Sequence, residues 1–109
     1  MALFPDGNKG LVRKAEEIAG TMRKVKTHQL RRIYESVSSI YLDSKDNKAS
    51  LDRVFLLKPQ LAYAADRERG LTGFKQVLTE LIDRIKTPEE LKEFYDFVQS
   101  VLAYHGGTD

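Results

Sequence analysis

The chain has 109 residues, of which 41% are hydrophobic and 31% charged, with no cysteine and a formal net charge of +2. Such a length holds one modest core and not two, the lack of cysteine excludes disulfides and thiolate metal sites, and the apolar runs are too short for a membrane span or an export signal. The expectation is a single soluble, cytoplasmic domain over 1–109 whose charge is unevenly spread: residues 1–70 hold 14 Lys and Arg against 9 Asp and Glu, and residues 71–109 hold 4 against 7.

Three prolines, seven glycines and almost no alternating β-branched runs argue against sheet. After a flexible lead-in over 1–8, Leu11, Ala15, Ile18 and Met22 form one stripe of a first helix over 9–23. Thr27 reads as the N-cap of a second helix in which Leu30, Ile33, Tyr34, Val37, Ile40 and Tyr41 recur at three- and four-residue steps. DSKDNKAS at 43–50 has turn chemistry and reads as a mobile loop. A short helix with Leu51, Val54, Phe55 and Leu57 then ends near Lys58, because proline disfavours a helical residue before it. Pro59 suits the first turn of the next helix, which reaches Arg69 and is closed by Gly70. Phe74, Leu78, Leu81 and Ile85 mark another amphipathic helix. In TPEE, Thr87 is the N-cap, Pro88 the first helical residue and Glu90 the capping-box partner of a last helix that runs to His105 and stops at two glycines. The fold class is all-α, a compact bundle of five to six helices.

The chain offers little for catalysis. His28 and His105 stand far apart, neither within a metal-ligand spacing, and His105 continues the apolar stripe of the last helix as a satisfied helix-end histidine would. No nucleophile elbow, phosphate loop or paired-carboxylate site is present, so no enzyme, metal or cofactor is expected. The cations carry more information. RKVKTHQLRR at 23–32 holds five cations and no acid. Lys24 and Lys26 precede the second helix, and Arg31 and Arg32 flank its apolar stripe, Arg31 with Glu35 one turn on as an alternative partner. Lys58 sits at the Lys-Pro joint, and Arg67 shares a helix face with Tyr63, whose ring can support the guanidinium. The wide apolar surface of the last helix, with Phe94, Tyr95, Phe97 and Tyr104, suits a central core helix or a subunit interface.

Three stretches, THQLRRIYESV at 27–37, LLKPQLAYAADR at 56–67 and FYDFVQSVLAYH at 94–105, resemble the small subunit of type III-A CRISPR effector complexes, the Csm complex. The middle stretch departs from the pattern at Asp66, where a glycine or neutral residue is expected. The resemblance implies a non-catalytic helical protein of antiviral defence, present with further copies of itself. It would lie along guide RNA and target RNA, beside the large polymerase-like subunit and the repeated backbone subunits, with no membrane partner. A protein that serves any guide has to hold the ribose-phosphate backbone and leave sequence to base pairing. Lys24, Lys26, Arg31, Arg32, Lys58 and Arg67 are the RNA-binding candidates. Two competing readings are a small helical DNA-binding regulator with 27–45 as recognition helix, and a protein-protein adaptor using the last helix.

Overall fold

The computed structural model describes residues 3–45 and 48–106, with the side chains of 48–50 left aside. Among the described residues there are five α-helices, two 3-10 segments and no strand. The helices are α1 (Gly7–Gly20), α2 (Thr27–Ser44), α3 (Leu57–Arg67), α4 (Thr72–Arg84) and α5 (Pro88–His105); the 3-10 segments are Lys48–Leu56 and Arg69–Leu71.

Helix α5 is the centre of the bundle. Leu91, Phe94, Phe97, Val98 and Val101 are all buried, and α1 and α2 pack on it. Each fully buried aliphatic or phenyl side chain contributes about 1.5–3 kcal/mol. Of the two readings of its wide apolar face, the structure uses it as core. Its N-terminus is built as expected. Thr87 accepts from the Glu90 amide at 3.1 Å, the Glu90 carboxylate accepts from the Thr87 amide, and Pro88 occupies the first turn. Gly106 ends it at φ 69°, a left-handed conformation that costs glycine nothing.

Three stretches bear on local expectations, and the last corrects one. The lead-in over 1–8 is part of the core as far as it is described. Leu3 is buried; its amide donates to Glu93 on α5 at 3.1 Å and its carbonyl accepts from Arg84 on α4 at 2.7 Å. Phe4 stacks obliquely on Phe97, ring centroids 5.2 Å apart. The loop expected over 43–50 falls partly on residues 46–47, outside the described residues; up to Ser44 the chain is helical, and from Lys48 it is 3-10. Lys58 does not end a helix. The preceding turn is 3-10, α3 begins at Leu57, and Lys58 and Pro59 both lie in its first turn. Proline tolerates that place because an N–H there has no helical partner to lose.

Tyrosines tie α2 to α5. The Tyr34 and Tyr95 hydroxyls are 3.0 Å apart, and Tyr41 stacks on Tyr95 with centroids at 4.6 Å. The hydrogen bond to Tyr34, and then partial burial, push the Tyr95 phenol above its ordinary 10.0. A phenol stabilised in its neutral form contributes fully below pH 10.0 and loses that contribution as pH rises through the folded-state value. Tyr34→Phe is therefore expected to cost about 0.5–1.5 kcal/mol at neutral pH. In urea unfolding as a function of pH, the gap between the two proteins should narrow above pH 10.0; a constant gap across that range would contradict the hydrogen bond's role.

Candidate functional site

A groove runs between α2 and α3. Two stripes of helical spacing face each other across it: Gln29, Arg32, Ile33, Ser36 and Ile40 on α2, and Gln60, Tyr63, Ala64 and Arg67 on α3. It consists of two hollows that share Arg32 and Gln60. One, of about 380 Å3, is lined by Gln29, Arg32, Ile33, Gln60, Tyr63, Ala64, Arg67 and Leu71. The other, of about 550 Å3, extends past Arg32 towards Ser39, Arg53 and Leu56.

The six expected cations divide into three settings. Arg32 and Arg67, 35 residues apart in sequence, line the same hollow. Arg32 makes no ion pair among the described residues, and the Arg67 guanidinium donates to the Tyr63 hydroxyl at 2.9 Å, with its carbon 5.4 Å from the ring centroid. Asp66, for all its proximity in sequence, forms no ion pair with Arg67 among the described residues; it lines a separate depression with Arg69, Thr72 and Lys75. Lys24, Lys26 and Arg31 form the second setting, at the start of α2. All three are exposed and without an ion pair among the described residues, so the Arg31–Glu35 alternative is not taken up. Lys58 stands apart: it reaches across to α4 and forms an ion pair with Asp83, and its ammonium lies over the Phe55 ring, 5.7 Å from the centroid. A lysine in the first turn of a helix faces the positive end of the helix dipole, and Asp83 offsets that.

The linker that carries Lys24 and Lys26 is held from two sides. Lys26 itself takes the N-cap position of α2, and Thr27, expected there, is the first helical residue instead. His105, at the end of α5, reaches this linker. Its Nε2 lies 2.7 Å from the Met22 carbonyl, which only accepts, so Nε2 carries the proton. Nδ1 pairs with the Thr27 hydroxyl at 3.4 Å. The histidine at the end of α5 is thus satisfied within the protein, as its place in the sequence suggested. On the other side, Val25 is buried beneath the second 3-10 segment, so close to Gly70 that a Cβ there would lie 2.7 Å from Val25 Cγ2.

Sequence reasoning overlooked Gln29, Gln60 and Arg53. The steps of three, one and three that link Gln60, Tyr63, Ala64 and Arg67 were a usable signal for a semi-polar stripe. Arg53 lines the larger hollow and pairs with Asp43 on α2.

Among the described residues no group of His, Asp or Glu has the arrangement of a metal site, and no helix is long and apolar enough to cross a membrane. A family model described as Csm2 Type III-A matches residues 6–107. No curated protein and no solved structure matches the chain.

His105→Ala leaves the Met22 carbonyl and the Thr27 hydroxyl without their partner and is expected to cost about 1–3 kcal/mol in urea unfolding. Gly70→Ala forces Val25 aside and should cost a similar amount, about 1–3 kcal/mol. Midpoints equal to that of the parent protein would show that the linker is not held at these two points.

Proposed function

The chain belongs to the Csm2 Type III-A family and is a small subunit of the type III-A Csm complex, and we propose that within it the chain binds the ribose-phosphate backbone of guide and target RNA without sequence preference. The observation that carries the reading is the convergence of Arg32 and Arg67, neither of them neutralised by a carboxylate, on one groove between α2 and α3. Guanidinium groups donate in a planar fork that fits phosphate oxygens.

Lys24, Lys26 and Arg31 extend the contact at the start of α2, and the clamped linker fixes their spacing. Lys58, shared with Asp83, contributes least of the six. The subunit is non-catalytic. It works in the cytoplasm as a scaffold beside the large polymerase-like subunit, the repeated backbone subunits and further copies of itself. Both roles suit a protein whose apolar helix α5 is spent on its own core.

Each charge-assisted hydrogen bond is worth roughly 1.5–3 kcal/mol, so Arg32→Glu combined with Arg67→Glu should weaken RNA duplex binding at least about ten-fold in fluorescence anisotropy. The log–log salt slope should fall by about one for each phosphate that the variant no longer neutralises. Arg32 and Arg67 are both exposed, so the variant is expected to keep its circular dichroism and unfolding midpoint. Unchanged RNA affinity would overturn the reading. So would a marked preference for one DNA sequence, as the regulator reading requires, or assembly with protein partners that survives nuclease and high salt, as the adaptor reading requires.

A further inference from the structure

The smaller hollow has features that a phosphate contact does not require. Ile33, Ala64 and Leu71 give it apolar walls, whereas a backbone contact needs only cations on an open surface. Its volume of about 380 Å3 falls within the range of small-ligand sites, roughly 300–1,000 Å3. Tyr63 at its rim is 64% exposed, in a chain that buries Phe74, Phe94 and Phe97 completely. The ring is also restrained, because its hydroxyl accepts from Arg67 at 2.9 Å. Finally, Gln29 lines the hollow, and its Oε1 is shielded from solvent without a hydrogen-bond partner among the described residues. Buried acceptors are seldom left unmatched, and one that is left so needs an explanation.

An aromatic face, an unmatched acceptor and two guanidinium groups around an apolar hollow ask for a flat group with an N–H edge and a phosphate attached. We propose that this hollow takes one unpaired nucleotide of the RNA strand that crosses the groove. The base rests against Tyr63 and offers an N–H to Gln29, and its phosphate lies between Arg32 and Arg67. All four RNA bases carry at least one N–H donor on the pairing edge, so a single acceptor selects none of them, and the site stays compatible with any guide. In a duplex that N–H is already engaged by the opposite base. The site therefore distinguishes unpaired from paired nucleotides while ignoring identity, which backbone contacts alone do not do.

The proposal rests on the RNA-backbone reading, and the test separates the two. The full-length chain is titrated with a fully paired RNA duplex, with the same duplex carrying a single bulged 2-aminopurine, and with adenosine monophosphate as competitor. The bulged duplex should bind about five-fold or more tighter than the paired one, in keeping with the strength of base–aromatic stacking, and the 2-aminopurine emission should be quenched on binding. Gln29→Met, which keeps side-chain length while removing the acceptor, should abolish the preference and leave paired-duplex affinity unchanged, and Tyr63→Ala should abolish the quenching. Equal affinity for the two duplexes without quenching overturns the proposal and leaves the backbone reading standing. No binding to either duplex overturns both. Displacement of the bulged duplex by adenosine monophosphate at concentrations no higher than that of the RNA would assign the hollow to a free nucleotide, against the proposal.

Discussion

Phe94, Phe97, Val98 and Val101 present a continuous apolar face on α5, and two helices are needed to keep water off it. That requirement places α1 on one side and α2 on the other, and it draws in Leu3 and Phe4 to finish the cover at Phe97. With α2 tied to α5 by the Tyr34, Tyr41 and Tyr95 cluster, the neighbouring flank of α2 turns towards α3 and the first 3-10 segment. The stripe from Gln29 through Arg32 to Ser36 occupies that flank. The groove is thus a by-product of which face of α2 the core uses.

The electrostatics of this surface depend on what is absent from it as much as on what is present. Arginines on helices are commonly offset by an acid one turn away, as Glu35 stands to Arg31, while Asp66 directly precedes Arg67 in sequence. Neither acid pairs with its arginine among the described residues. Carboxylates pair instead with cations elsewhere: Asp83 with Lys58, Asp96 with Lys92, Glu17 with Lys14. The result is a surface on which the Arg31, Arg32 and Arg67 guanidinium groups lose little by meeting a phosphate, since no carboxylate among the described residues has to be given up. Arg67 is further prepared by Tyr63, which holds the side chain before any partner arrives.

What the sequence disclosed follows the range of the interactions involved. The Thr87–Glu90 box and the terminating Gly106 are decided within a few residues and were readable as such. Helical periodicity likewise disclosed the five α-helices and most of the core. The role of Leu3 was hidden because its partners, Arg84 and Glu93, lie more than eighty residues on. The same holds for Thr27, which has every local attribute of a cap but is taken by His105. Lys58 looked free because nothing near it in sequence is acidic, and the ion pair with Asp83 exists only once α3 and α4 are packed. Of the site, the individual cations were legible, but their grouping into Arg32 with Arg67, apart from Lys58, needed the fold. Gln29 and Gln60 carry no charge and match no motif, and only their position across the groove gives them meaning.

The reach of His105 has a consequence for how the protein is made. Most of the cations belong to the first two thirds of the chain and leave the ribosome early, but the Met22 carbonyl and the Thr27 hydroxyl wait for a side chain about eighty residues later. Until α5 has emerged, α1 and α2 have no common surface to pack on, and the linker between them is untied. A nascent chain interrupted before Pro88 would carry every cation of the interface without the helix that sets their spacing. Placing the tie in the last turn of α5 makes the emergence of that helix a condition for a finished surface.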